Sequence, residues 1–326
     1  MKEFFKKHRR ISMALVILTA AIIVIGVLFY LKVGNRSGWN ENFTVEVDGE
    51  TYTSEEYNEM KRKEYEKEEH AEKEKKAAKE EAKIEKEKED ERLALKRKMA
   101  KMITFIDDDG YESFYKWLLP VVIEKNVSIS TAIETGHVGE KYFMTWEQIA
   151  ECREAGAEIL NHSRDHVYSN EVNQARTSED ILEEMADSIR IMREHGYEDT
   201  CDIYVYPGAS AVATWDEAQQ IMRVGINSSG NKVNHYPFQN RYTIDRYRMG
   251  SDHTPDFSEM KMYIDEVANN GGWELWMMHS NMESMNDHYI DGLKEAIDYC
   301  GTVGVKIVSV QEALDFYGIE SLDNDL

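Results

Sequence analysis

Residues 144–166 read MTWEQIAECREAGAEILNHSRDH. Thr145-Trp146-Glu147-Gln148 has the form of a capping box, so a helix is expected to begin at Thr145 and to stop at Gly156. The apolar run Ala157 to Asn161 follows at once and reads as a strand. Outward from this unit the alternation repeats. Candidate strands are 101–107, 127–133, 157–161, 202–206, 223–228, 243–249, 273–279 and 305–309. Candidate helices between them are 112–125, 145–155, 178–195, 214–222, 257–270, 287–300 and 310–317. Repeated βα units over roughly 220 residues predict a mainly parallel sheet, either a barrel or a doubly wound layer. In barrels of this kind function sits at the C-terminal ends of the strands.

Three strand ends carry chemistry. The first candidate strand runs into Asp107-Asp108-Asp109-Gly110. Adjacent carboxylates repel, so a fold keeps them with a counter-ion or with solvent; the plainer reading is an acidic turn made by Gly110. The third ends in His162-Ser163-Arg164-Asp165-His166. Two histidines four apart can aim at one point, and His/His/Asp is a common open ligand set for a catalytic divalent ion. The plainer reading is a satisfied surface pair. The strand 273–279 is apolar but for Glu274 until His279, its last residue. Tyr204-Val205-Tyr206-Pro207-Gly208 ends another strand in a sharp turn, which can present a backbone N–H to an oxyanion.

The N-terminal third has a different composition. Ile11 to Leu31 is 21 residues without a charge, enough to span about 30 Å of hydrocarbon at ~1.5 Å per residue. It is longer than the apolar core of a cleaved signal peptide and reads as a retained membrane anchor. Lys2, Lys6, Lys7, Arg9 and Arg10 precede it, so the N-terminus is expected in the cytoplasm and the rest outside. TVEVDGETYT, 44–53, alternates around Asp48-Gly49 and reads as a hairpin. Thr53 and Glu56 fit a capping box that opens a stretch of Glu, Lys and Ala. Its apolar residues do not sustain a heptad, so it reads as a single solvated helix, a stalk, in preference to a coiled coil.

The expected layout is a cytoplasmic tail 1–10, a span 11–31, a linker with hairpin 32–53, a charged helix 54–98, a catalytic domain 99–318 and a tail 319–326. The net charge is −23, and residues after 98 carry 17 basic against 41 acidic side chains. That excess speaks against nucleic acid as a partner. Cys152, Cys201 and Cys300 form neither a disulfide framework nor a CxxC zinc site.

In combination these pieces resemble the polysaccharide deacetylases, the NodB-homology domain of carbohydrate esterase family four. ITFIDDDG, 103–110, is similar to the family's TFDDG box, and HSRDH, 162–166, matches its HSxxH box. VYPGA, 205–209, resembles a variant of the third motif, and GGWELWMMH, 271–279, resembles the last. The likeness runs from about residue 101 to 317. It implies a distorted (β/α) barrel holding a divalent metal, commonly zinc. By the same resemblance Asp109, His162 and His166 are metal ligands, Asp108 is the general base and His279 the general acid. The N–H of Gly208 would face the oxyanion.

Asp107 stands where the family has an aromatic, which leaves the register of the acidic run open. The arginine that holds the base aspartate in the third motif is missing from 201–210, leaving Arg164, Arg246 or Arg248 as its substitute. The substrate implied is an N-acetylated envelope polysaccharide, peptidoglycan or a secreted glycan. The competing expectations are a glycan-binding protein that keeps the barrel without catalysis, and an amidase or esterase acting on a non-sugar substrate.

Overall fold

A computed structural model of the chain describes residues 44–166, 177–209, 215–228, 232–250, 254–282 and 285–321. The expected membrane span, 11–31, lies outside them. Among the described residues no helix is long and apolar enough to cross a membrane.

The chain divides into two units, Met1–Lys86 and Glu87–Leu326. In the first, strands β1 (Thr44–Val47) and β2 (Glu50–Thr53) pair antiparallel around Asp48-Gly49. Asp48 and Gly49 both have positive φ, the backbone that a two-residue hairpin turn demands. Helix α1 (Ser54–Lys98) follows and buries none of its residues. The Thr53 N–H donates to Glu56 Oε2 at 2.9 Å, and the Glu56 N–H to Thr53 Oγ1 at 3.3 Å. Glu59–Lys63, Glu69–Lys73 and Glu72–Lys76 pair at 2.6 to 2.8 Å along its surface. Such exposed pairs contribute only a few tenths of a kcal/mol each.

The unit boundary falls inside α1 and not at its end, because the last turn is tied to the second unit. Arg97 Nε donates to the Phe316 carbonyl at 3.0 Å and its guanidinium lies 5.6 Å from the Tyr236 ring.

The second unit is an alternation of strand and helix. Its strands are β3 (Lys101–Asp107), β4 (Ser130–Ile133), β5 (Glu158–Asn161), β6 (Ile203–Val205), β7 (Val224–Ile226), β8 (Tyr247–Arg248), β9 (Gly272–Met278) and β10 (Lys306–Ile307). Its helices are α2 (Leu119–Lys125), α3 (Trp146–Glu154), α4 (Ser178–Glu194), α5 (Trp215–Ile221), α6 (Phe257–Asn270), α7 (Asp287–Val303) and α8 (Val310–Tyr317). The expected helix 112–125 is divided: Phe114–Leu118 is wound as a π-helix ahead of α2. Pro120 lacks the N–H that an uninterrupted α-helix would use there.

The strand order is β7-β6-β5-β4-β3-β9-β8, with β10 beside the start of β3, and every pairing is parallel. The expected strand 243–249 is regular only at Tyr247–Arg248, yet it closes the sheet. The Ile244 N–H donates to Gly225 O on β7 and the Asn227 N–H to Ile244 O. Three residues on, β8 pairs with β9. The hydrogen-bonded path thus returns on itself through irregular backbone, a distorted barrel.

Two apolar clusters follow from strand alternation. Ile103 and Phe105 of β3 pack with the helix layer, whereas Met102 and Ile106 pack inward with Leu160, Val205, Leu275 and the Val310 and Leu314 face of α8.

Candidate active site

The alternation that sorts the core also sorts the acidic run. Asp108 has the parity of Met102 and Ile106, so it points into the barrel; Asp107 has the parity of Phe105 and points to the helix layer. His162 continues the inward parity of Leu160, and His279 that of Trp273 and Leu275. Three inward side chains, each one residue past the end of β3, β5 or β9, therefore meet at one end of the barrel. His279 itself lies one residue beyond β9, where the strand gives way to a turn.

Asp109 adopts φ +77 and His166 φ +54, both left-handed. These turns bring Asp109 Oδ1 to 3.3 Å from His162 Nε2 and 3.5 Å from His166 Nε2. Neither approach has hydrogen-bond geometry, so Oδ1 is a buried oxygen without a partner. The three ligand atoms all lie within 4.8 Å of one another. Ligands about 2.0–2.2 Å from one ion stand roughly 3–4 Å apart, so the set fits a divalent cation. His162 Nδ1 donates to the Val205 carbonyl at 2.8 Å, which fixes the tautomer and leaves Nε2 as the ligand atom. Burial, reinforced by the neighbouring His162, pulls the His166 imidazole down to about 4, so it is neutral and able to ligate at pH 7.

Asp108 is fully buried and held by a two-pronged pair: Arg246 Nη1 to Oδ1 at 2.6 Å and Nη2 to Oδ2 at 2.9 Å. Burial is the largest single influence and opposes its ionisation, but the Arg246 charge and hydrogen bonds together with the neighbouring His162 and His279 outweigh it and hold the carboxyl below its ordinary value. Arg246 is itself completely buried, and its Nε donates to Asn227 O at 3.2 Å. This settles which arginine faces Asp108. Arg164 instead pairs with Asp165 and Asp187 at 2.7 and 2.6 Å, and Arg248 is exposed. The position of Arg246 could not be read from spacing, since it is 138 residues from Asp108 and lies on the irregular closing segment.

Asp107 does not join the ligands. It accepts from the Ser280 N–H at 2.6 Å and from Ser280 Oγ at 2.7 Å. Burial pushes its carboxyl well above the ordinary value, against those two hydrogen bonds. His279 Nε2 lies 3.9 Å from Asp109 Oδ2, while its Nδ1 is buried without a hydrogen bond.

Gly208, φ +65, sits in the short 3₁₀ turn Pro207–Ala209 that follows β6. It follows Val205, whose carbonyl orients His162, by three residues, and among the described residues no hydrogen bond ties its N–H to the cluster. Beside the site a cleft of about 500 Å³ is lined by Tyr111, Trp117, Tyr142, Ser280 and Met282 among others. Tyr111 stacks on Phe143 with ring centres 4.6 Å apart, and the Tyr142 side chain is exposed.

Residues 95–226 match the family model described as polysaccharide deacetylase. Over this stretch the chain is similar to the polysaccharide deacetylases. The matched stretch holds Asp108, Asp109, His162, His166 and Gly208; Arg246 and His279 lie beyond it. No curated protein matches the chain. Among solved structures it is similar to a family 4 acetyl xylan esterase from Clostridium thermocellum in complex with a cobalt ion, at 16% identity. That likeness covers 68% of this chain and 93% of the other, with a TM-score of 0.47. A family 4 carbohydrate esterase from Bacillus anthracis is similar at 14% identity over 69% of this chain and 90% of its own, TM-score 0.45. The esterase domain of a multidomain xylanase from the hindgut metagenome of Trinervitermes trinervoides is similar at 14% over 68% and 93%, also with TM-score 0.45.

Proposed function

We propose that the domain is a metal-dependent N-deacetylase of an N-acetylated envelope polysaccharide, and that residues 11–31 anchor it with the domain outside the cell. The observation that carries the catalytic reading is the buried Asp108–Arg246 pair set beside the open Asp109, His162, His166 triad. A carboxylate kept ionised next to a cation site, yet outside the ligand set, is what a general base needs.

Asp109, His162 and His166 would hold the ion, zinc by ligand type, and it would supply a polarised acetamide carbonyl and an acidified water. Asp108 takes the proton of the attacking water. Arg246 occupies both of its oxygens in the plane of the carboxylate, so the carboxylate is aimed as well as ionised. The Gly208 N–H is assigned to the developing oxyanion. His279 presents Nε2 to the site and protonates the leaving amine. The products are acetate and a free amino sugar.

The aromatic cleft at Tyr111, Trp117 and Tyr142 suits sugar rings, whose C–H faces lie well on flat apolar side chains. Arg246 on Asp108 speaks against a purely binding role, because it supplies the guanidinium that 201–210 lacks.

The test is acetate release from N-acetylated chito-oligomers by the full chain. Asp108→Asn is expected to keep its metal while turnover falls about 10²–10⁴-fold, the scale of lost general acid–base help. His162→Ala is expected to lose the metal. A metal-loaded wild type that releases no acetate from any N-acetylated glycan overturns the reading.

A further inference from the structure

Among the described residues no side chain accepts or donates a hydrogen bond at the His279 ring. Its Nδ1 is buried and makes no hydrogen bond, so nothing on the ring itself sets the direction of Nε2. The backbone must do so. On one side the Asp108 N–H donates to the Met278 carbonyl at 3.0 Å. On the other the Ser280 N–H and Oγ both run to the two oxygens of Asp107, at 2.6 and 2.7 Å. Ser113 Oγ adds a third link, 2.9 Å from Ser280 Oγ. The Met282 N–H closes a turn on the His279 carbonyl at 3.1 Å. The peptides before and after His279 are thus held by two adjacent residues, Asp107 at the end of β3 through its side chain and Asp108 just past it through its backbone.

We propose that Asp107 is a positioning residue for His279, clamping the peptide that follows it so that the imidazole faces the leaving nitrogen of the substrate. The clamp rests on the deacetylase reading, since it matters only if His279 delivers a proton. It works from the far face of the sheet: Asp107, Met278 and Ser280 share the outward parity, while Asp108 and His279 share the inward one. Asp107 is completely buried, so its two bonds to Ser280 do not compete with water. The geometry survives either proton inventory. An ionised carboxylate accepts both bonds; a protonated one donates from Oδ2 to Ser280 Oγ, which then donates to Ser113. A clamp of this kind needs no contact with substrate, yet a 1 Å misplacement of a catalytic group can cost about 10²-fold in rate.

The experiment compares two substrates on the full chain, an N-acetylated chito-oligomer and 4-nitrophenyl acetate, whose leaving group needs no proton. Asp107→Ala is expected to lower kcat on the oligomer about 10²-fold with KM and metal content unchanged, and to lower aryl acetate hydrolysis less than about tenfold. Asp107→Asn is expected to restore most of the lost turnover, because Asn keeps Oδ1 for the Ser280 N–H and offers Nδ2 to Ser280 Oγ. In a His279→Ala background, Asp107→Ala is expected to cost nothing further on the oligomer.

Equal losses on both substrates with metal retained, or losses that add to those of His279→Ala, overturn the clamp. Should Asp107→Ala not fold, Ser280→Ala replaces it: it removes the hydroxyl's bonds to Asp107 and Ser113 and keeps the Ser280 N–H bond to Asp107, and the same oligomer-selective loss, absent from the His279→Ala background, is required. A wild type active on the aryl ester but not on any N-acetylated glycan overturns the deacetylase reading itself. A wild type active on the glycan and indifferent to Asp107→Ala overturns the clamp alone.

Discussion

Asp107, Asp108 and Asp109 are neighbours in the chain and face three different environments. Period-two alternation sends Asp107 to the helix layer and Asp108 into the barrel, and the left-handed backbone at Asp109 turns its carboxylate toward two histidines. Their mutual repulsion is relieved separately: by two Ser280 donors, by a guanidinium, and by a site shaped for a cation. The pair with Arg246 also yields a prediction. Arg246→Lys keeps a positive charge but loses the planar fork that grips both oxygens. Turnover is expected to fall about 10²-fold, the scale of a misplaced catalytic group, with metal content intact. Acetate release together with metal analysis checks this; unchanged turnover would mean that charge alone suffices at Asp108.

At the scale of elements, β9 carries an unusual burden. It is buried along its whole length, pairs with β3 on one side and β8 on the other, and includes Glu274. Glu274 Oε1 accepts from the Trp276 indole N–H, and Oε2 has no partner. Burial pushes its carboxyl from 4.5 up to about 8. The folded state therefore keeps a proton that the unfolded chain gives up above about 4.5. Stability from neutral Glu274 is complete below that pH and is lost as pH rises through about 8. Glu274→Gln mimics the protonated form. The difference in melting temperature between variant and wild type is expected to move in the variant's favour from pH 5 to pH 9. A difference that stays constant over that range would show that Glu274 is ionised in the fold.

For the molecule as a whole, the barrel is completed by a segment with little regular structure. Ile244 reaches β7, Tyr247 and Arg248 reach β9, and Arg246 lies between them with its guanidinium inside. Closure of the sheet and placement of the base thus depend on the same few residues. The proposed anchor belongs to this scale too. A charge-free run of 21 residues behind five basic side chains predicts that protease added to intact cells removes the domain. Protection of the domain would reverse the orientation.

The strands and helices were legible in the sequence because their signals are local. The capping box at Thr145, the apolar runs and the stop at Gly156 depend on residues a few positions apart, and α3, β5, α4 and α6 lie close to where those signals put them. The candidate cation site of Asp109, His162 and His166 was reached through the resemblance, since the spacing of two histidines at a strand end is a weak signal by itself. The opposing roles of Asp107 and Asp108 were within reach, since the parity of Met102, Phe105 and Ile106 already separates them.

Arg246 and the Asp107–Ser280 bonds were not legible. They join residues 138 and 173 positions apart, and such contacts exist only after β3, β9 and the closing segment have found their register. No periodicity marks the closing segment, because most of its hydrogen bonds are isolated. A local sequence pattern can say which face a residue occupies, but only the packed barrel decides which distant residue meets it there.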